Sequence, residues 1–185
     1  MKHREYSTPA KFLHWAMAMV IFASWGIGYY SSTLSTKEKM QVDSIMLHKS
    51  VATVTLFLIA CRIAWRLFNC APEPSSGLSN IERKAAALGH VGLYICMVAL
   101  PLSGWLWSST AGYPIPVANL FFLPPLMAKT PSLSPLFRQV HITLAYSIAI
   151  LVSGHVTMAI KHHFWDGGDV IFSMLPSCLR RKDTQ

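Results

Sequence analysis

The stretch QVHITLAYSIAILVSGHVTMAIK, residues 139–161, decides how this chain folds. Its interior carries no acidic or basic residue, and its length matches the roughly 20 apolar residues that one membrane-spanning helix needs. It also holds two histidines, His141 and His155. Ionisable side chains inside such a span are costly and indicate a function.

The spacing of these two histidines indicates which cofactor they bind. At about 1.5 Å and 100° per residue, fourteen residues place the two rings roughly 21 Å apart and within roughly 40° of the same helix face. A single metal ion cannot bind both rings, because metal–imidazole distances are about 2 Å. Two stacked haems can, if each takes one ring from this helix and one from another. Such bis-imidazole iron suits electron transfer.

Three other stretches are apolar enough to cross a bilayer. Of all residues 52% are hydrophobic and only 13% are charged, whereas a soluble domain carries about 25% charged residues. The sequence therefore predicts an all-α membrane protein, with one domain over residues 1–185 and a bundle of four transmembrane helices at about 12–30, 45–67, 85–108 and 140–160. The first span is expected to be retained, because no small-residue cleavage site follows it.

The basic residues predict the orientation. Eleven of the 16 Lys and Arg residues lie in the N-terminus, the second connection and the tail, and five lie on the other side. The positive-inside rule therefore places both termini in the cytoplasm, with the chain in a bacterial inner membrane. The net charge of +8 flanks the spans instead of forming one patch, which excludes nucleic acid as a partner.

The remaining histidines in the spans fall into two layers. His14 follows Lys11 by three residues and shares the cytoplasmic level with His155, whereas His48 and His141 lie near the outer ends of their spans. We therefore predict His14 with His155 as axial ligands of a cytoplasmic haem iron, and His48 with His141 as ligands of an outer haem iron.

Several residues near these layers have more than one interpretation. His90 lies at the cytoplasmic level and could replace His14, contact a haem propionate, line a quinone site or simply pack. Arg62 and Arg66 could pair with propionates or act as stop-transfer charges. His162 and His163 could form a metal site or proton relay, although a solvated helix end is favoured.

Smaller features complete the pattern. Glycines in the spans would admit a porphyrin or a neighbouring helix: Gly26, Gly28, Gly92, Gly104 and Gly154. Cys61 and Cys96 are expected to be buried fillers. The connection 68–84 contains the turn-rich APEPSSG, and the long connection 109–137 contains the apolar NLFFLPPLM, which is expected at the interface or over the bundle mouth.

The chain resembles the prokaryotic cytochrome b561 family and, more distantly, the cytochrome b subunits of hydrogenases and formate dehydrogenases. The motifs are KFLHW, LHKS, CRIAWR, LGHVGLY, QVHITLA and SGHVTMAIKHHFWD, in that order along nearly the whole chain. The resemblance implies two haems b with the ligand pairs given above. It also implies a link to the quinone pool, with ubiquinone as substrate and superoxide as one donor at the outer face.

Three functions remain open from the sequence. The chain could be an oxidoreductase that moves electrons from an outer donor to quinone. It could be a haem-bearing membrane anchor for a separate dehydrogenase or reductase, whose identity the sequence does not give. It could be a transporter with a histidine proton relay. Lipid surrounds the bundle in each case, and the short connections favour the first function.

Overall fold

A computed structural model describes residues 6–35, 39–69, 79–118, 120–166 and 170–175. The main elements are four long helices: α1 (Thr8–Thr33), α2 (Lys39–Phe68), α3 (Asn80–Ala111) and α4 (Ser134–Phe164). Between α3 and α4 lie two strands and a single 3-10 turn, β1 (Ile115–Val117), β2 (Phe121–Leu123) and Pro131–Leu133, and a short α5 (Val170–Met174) follows α4. Each predicted span lies inside one of the long helices, all of which are apolar enough to cross a membrane.

The burial pattern of the bundle is the reverse of that in a soluble protein. Large apolar side chains face outward, and Phe12, Phe22 and Ile150 are 61–72% exposed. Small polar side chains such as Ser24 and Ser103 are buried between the helices. Soluble proteins bury their large apolar residues, whereas helices in lipid pack through small residues. The pattern therefore supports a bundle surrounded by lipid.

The four helices form two closely packed antiparallel pairs. α1 packs mainly on α2, and α3 packs mainly on α4. The pairs are linked where Arg62 Nε donates to Tyr94 Oη over 3.2 Å and where Trp25 Nε1 donates to the Ala145 carbonyl over 3.1 Å. Because the helices in each pair run antiparallel, the end of the bundle at which α1 starts also contains the ends of α2 and α4 and the start of α3. We call it the α1-start end. The opposite end, which carries the paired strands β1 and β2, is called the hairpin end.

Local signals in the sequence explain where α3 begins and ends. Ser79 and Glu82 form a capping box, in which the Ser79 hydroxyl accepts from the Glu82 amide and the Glu82 carboxylate accepts from the Ser79 amide. At the other end Gly112 has a φ of 80°, which glycine adopts without strain. The Tyr113 amide then donates to the Ser108 carbonyl over 2.9 Å and closes the last turn.

The long connection folds into a hairpin against α2. β1 and β2 pair antiparallel, and all three β1 residues are buried. The Thr53 hydroxyl shares its proton between the Ser50 carbonyl of its own helix, at 2.9 Å, and the Pro116 carbonyl of β1, at 3.1 Å, and so links β1 to α2. The apolar segment NLFFLPPLM, which was expected at the membrane interface or over the open end of the bundle, contains the largely exposed strand β2. The buried strand β1 packs on α2.

Two smaller expectations have different outcomes. Cys96 is buried as expected, but Cys61 is exposed on the outside of α2, so the prediction for Cys61 is wrong. In a lipid-facing position an apolar thiol needs no burial inside the protein. The turn-rich linker was predicted over residues 68–84, but Phe68 is the last residue of α2 and α3 already begins at Asn80, so the prediction is wrong at both ends. Its central APEPSSG lies outside the described residues.

Candidate functional site

Four of the histidines in the spans form two facing pairs. The ring centres of His14 on α1 and His155 on α4 are 6.2 Å apart, and those of His48 on α2 and His141 on α4 are also 6.2 Å apart. A metal ion held between two imidazole nitrogens, each at about 2 Å, places the ring centres about 6 Å apart. The two pairs thus have the separation that a bis-imidazole iron requires, and they are the pairs predicted from the sequence.

Backbone carbonyls orient both rings of the His48–His141 pair. His48 Nδ1 donates to the Ser24 carbonyl over 2.8 Å, and His141 Nδ1 donates to the Leu100 carbonyl over 3.1 Å. A histidine that binds a metal usually donates its other ring N–H to a carbonyl or carboxylate. Because Nδ1 is engaged in both rings, Nε2 of each is left as the ligand atom.

Two glycines allow these rings to approach the neighbouring helices. A Cβ on Gly28 would lie 2.8 Å from His48 Cε1, and a Cβ on Gly104 would lie 3.0 Å from His141 Cε1. A Cβ on Gly26 or Gly154 would meet nothing within 4 Å. Of the glycines that the sequence singles out, Gly28 and Gly104 therefore contact the histidine rings directly.

The His14–His155 pair has a different environment. Arg62 Nη2 lies 3.4 Å from His14 Nδ1. The central carbon of the Arg62 guanidinium, Cζ, lies 5.9 Å from the centre of the Tyr94 ring. Arg66 is exposed, one helical turn further along α2. Of the two arginines that the sequence proposes as propionate partners, Arg62 thus reaches this site directly.

His90 joins the same site as a third ring. Its ring centre lies 5.4 Å from that of His155, with the planes inclined at 63°. This separation is shorter than the value of about 6 Å expected across a bound metal ion. The geometry therefore favours His14 over His90 as the partner of His155, and it leaves His90 in position to contact a cofactor edge or a substrate.

The α1-start end carries a separate ionic cluster. Lys161 Nζ lies 2.9 Å from Glu82 and 2.8 Å from Asp166, and the His162 ring also bonds Asp166. His162 is only 7% exposed, so the favoured prediction of a solvated helix end is wrong for this residue. The donor atoms of Glu82, His162 and Asp166 lie close enough together for a metal ion. The Lys161 ammonium bonds both carboxylates, however, so the cluster is an ion-pair network.

This network ties the start of α3 to the end of α4. Hydrogen bonds from Lys161 and His162 hold the pKa of Asp166 below its usual range, because both partners favour the charged carboxylate. His163 lies beside the network, with its ring against Phe164 and Phe172. The ion-pair network and these ring contacts therefore give both histidines a structural role, at the position where the sequence also allowed a metal site or a proton relay.

Sequence reasoning missed the groups that orient the rings. The carbonyls of Ser24 and Leu100 act through the backbone and leave no side-chain signal. Tyr94, which accepts from Arg62, looks in the sequence like one more aromatic residue in a span. The sequence signal that Ser24 and Leu100 share is a glycine four residues later, Gly28 and Gly104 respectively.

The fold and the site define a class of protein, namely a multi-pass membrane protein with histidine pairs suited to a cofactor iron. Comparison with known proteins agrees. The family model described as prokaryotic cytochrome b561 matches residues 5–177. The chain is 31% identical over 170 residues to cytochrome b561 homolog 2 of Escherichia coli K12, which covers 92% of this chain and 90% of that protein. It is 30% identical over 101 residues to cytochrome b561 homolog 1 of the same organism, 55% of each chain.

The chain therefore belongs to the prokaryotic cytochrome b561 family. Membership implies a membrane b-type cytochrome that binds haem and carries electrons. The residues present fit a haem on two independent observations. The donor set consists of facing imidazoles at the required separation, and the two glycines provide space for the rings that a Cβ would fill.

Proposed function

We propose that this protein is a di-haem transmembrane electron carrier that moves electrons from a donor at the hairpin end to quinone. The observation that carries the proposal is the equal 6.2 Å separation of two imidazole pairs, whose members on α4 lie about 21 Å apart along the helix. His14 and His155 would hold one haem b, and His48 and His141 the other. The hairpin end would face outward, as the distribution of basic residues predicts.

Each iron would be held on both sides by imidazole, which suits one-electron transfer. The protein fixes the rings through the carbonyls of Ser24 and Leu100 and through the close approach at Gly28 and Gly104. Arg62, Arg66 and His90 are the residues that we propose as contacts for haem propionates or for quinone. Of these, Arg62 and His90 lie against the His14–His155 pair.

Superoxide is the donor that we propose at the hairpin end. Two superoxide ions would release two electrons and leave two O₂ molecules. One ubiquinone would take up these electrons together with two protons from water and become ubiquinol. Lys49, Lys129 and Arg138 lie toward this end, and a positive balance draws small anions.

Haem content per chain tests the proposal. The purified protein should contain two haems b, and either His48→Ala or His141→Ala should leave about one. His90→Ala is the matched control, because it removes an imidazole of the cytoplasmic level that neither pair needs, and it should retain both haems. Loss of a haem in His90→Ala together with full retention in His14→Ala would contradict the ligand assignment. A colourless, iron-free protein made with ample haem would contradict the function.

A haem-bearing anchor for a separate dehydrogenase or reductase is the second candidate, since the chain also resembles such subunits. Quinone reduction by the purified protein separates the two. With superoxide as donor and a soluble ubiquinone analogue as acceptor, the free-standing oxidoreductase should form ubiquinol without a partner. A protein that contains both haems but reduces no quinone under these conditions would instead fit the anchor.

A further inference from the structure

We infer that the short helix α5 is a strap that holds His14 and His155 at ligand distance, and that Trp15 is the positioning residue that fastens it to α1. The inference rests on the proposed function, because it takes these two rings as the axial ligands of one iron. The strap keeps both axial positions of that iron occupied by the protein and closed to foreign ligands.

The two histidines of this pair lie on helices that share few direct contacts within the described residues. α1 packs mainly on α2, and α4 packs mainly on α3. Trp25 Nε1 donates to the Ala145 carbonyl over 3.1 Å and joins α1 to α4. That bond is, however, about 15 Å along each helix from His14 and His155. The separation of the two rings therefore depends on a contact closer to the α1-start end.

Trp15 attaches α5 to α1 directly beside one of the ligand rings. Its indole Nε1 donates to the Met174 carbonyl over 2.9 Å. The indole N–H is a donor only, and a carbonyl in the last turn of a helix has no partner inside that helix, so the bond satisfies both groups. The Trp15 ring also meets the His14 ring edge-on, with centres 5.4 Å apart and planes inclined at 85°. Trp15 is thus fixed by α5 and in turn limits how far His14 can move.

The second attachment of α5 lies on α4, the helix that carries His155. The rings of His163 and Phe172 have their centres 4.7 Å apart and their planes inclined at 83°, which is a favourable edge-to-face contact. His163 lies about two helical turns beyond His155. α5 therefore joins the end of α4 to the start of α1, which are the two helices that the pair requires at a fixed separation.

The other pair does not depend on such a strap. The rings of His48 and His141 are each held by a backbone carbonyl of a neighbouring helix. Metal–ligand distances hold to within about 0.2 Å, so a small movement of α1 away from α4 is enough to release one ring at the His14–His155 site alone. The released position would accept a small ligand such as carbon monoxide, whereas iron with two imidazole ligands has no open position.

Binding of carbon monoxide to the reduced holoprotein tests the strap. Wild type should bind none, and Trp15→Phe, which removes the donor but keeps an aromatic ring beside His14, should bind about one carbon monoxide per two haems. The measurement is the shift of the haem absorption bands. Trp165→Phe is the matched control, because Trp165 lies at the same end of the bundle and is 78% exposed, and it should bind none. Binding by wild type, no binding by Trp15→Phe, or equal binding by Trp165→Phe would overturn the inference.

Phe172→Ala tests the attachment on α4, and it decides the question if Trp15→Phe folds poorly. It leaves Trp15 and the Met174 carbonyl in place but removes the ring contact with His163, so it should also open the iron to carbon monoxide. Loss of the His14–His155 haem alone, with the other haem retained, would support the strap in the same way. No binding and full haem content in Phe172→Ala would contradict it.

The His48→Ala background assigns the effect to one site. By the proposed function this variant retains only the haem of the His14–His155 pair, and it should bind no carbon monoxide. Adding Trp15→Phe should open that remaining haem, whereas no binding in the double variant would place the effect at the other site and overturn the inference. The two proposals also fail differently. A wild-type preparation without haem refutes the proposed function, whereas two haems that stay closed in both strap variants refute the strap alone.

Discussion

Gly28→Ala should selectively weaken haem binding at the His48–His141 pair. The new Cβ would lie 2.8 Å from His48 Cε1 and 2.9 Å from Nδ1. Carbon atoms pack at about 3.5 Å or more, so the ring would have to move back by about 0.7 Å. Metal–ligand distances hold to within about 0.2 Å, so a shift of that size takes the ring out of ligand position. It also strains the bond between His48 and the Ser24 carbonyl.

The magnitude follows from the cost of overpacking, which is about 1–3 kcal/mol for an added carbon in a well-packed site. At about 1.4 kcal/mol per tenfold, this corresponds to roughly 5- to 140-fold weaker haem binding at one of the two sites. The gain in helix propensity from glycine to alanine, about 1 kcal/mol, stabilises α1 but does not return the ring to its position.

The assay is the haem content per chain, measured by pyridine haemochromogen absorbance during washing with a haem-binding competitor. Gly28→Ala should fall from two haems toward one, and Gly26→Ala should keep two, because a Cβ on Gly26 meets nothing within 4 Å. Gly104→Ala should show a milder loss, since its Cβ would lie 3.0 Å from His141 Cε1. Unchanged binding in Gly28→Ala, or an equal loss in Gly26→Ala, would refute this reasoning.

Two further outcomes are expected away from the histidine pairs. The lowered pKa of Asp166 means that its bond to Lys161 stabilises the fold fully above the unfolded pKa of 3.8, and that this contribution disappears as pH falls through the lower folded value. Wild type should therefore lose more thermal stability than Asp166→Asn between about pH 5 and about pH 3, and equal losses would exclude this contribution. Thr53→Val should cost about 1 kcal/mol of unfolding free energy, because the buried Pro116 carbonyl loses its donor. Thr53→Ser, which keeps the hydroxyl, should unfold close to the wild-type temperature, and a loss equal to that of Thr53→Val would argue against the bond.

The sequence predicts the four spans well because lipid imposes a simple rule on composition. Each predicted span lies within a longer helix, and the differences lie at the ends. α2, for example, begins at Lys39 and includes Asp43, although both are charged. Backbone hydrogen bonds continue the helix beyond the apolar core, where side-chain polarity no longer reports on helix length.

The depth of the histidines could be predicted, but their immediate environment could not. Fourteen residues on one helix fix both the rise and the face of His141 and His155, so the spacing alone separates two levels. What lies against Nδ1 depends on how neighbouring helices pack. The ion pair between Lys161 and Glu82 likewise joins residues 79 positions apart, which approach only through the pairing of α3 with α4.

The glycines show the same limit more sharply. From the sequence, Gly26, Gly28 and Gly154 have equal claims to a position beside a ring, because each lies in a span. The structure places Gly28 against His48 and leaves the other two open. A glycine's importance here is set by the rotation of one helix about its axis relative to its neighbour, and the near-uniform apolar composition of the spans does not determine that rotation.

The same arrangement occurs in both helix pairs, although the sequence shows no internal repeat. In α1 the carbonyl of Ser24 and the backbone of Gly28 receive His48 from α2, and in α3 the carbonyl of Leu100 and the backbone of Gly104 receive His141 from α4. The spacing of four residues is a consequence of helix geometry, because residue i+4 lies directly above the carbonyl of residue i. A ring that bonds this carbonyl from the side must therefore pass over the Cβ position of residue i+4, and glycine alone leaves that position open. The two glycines thus follow from the carbonyl bonds, and a histidine that lies against a guanidinium, as His14 does, has no such requirement.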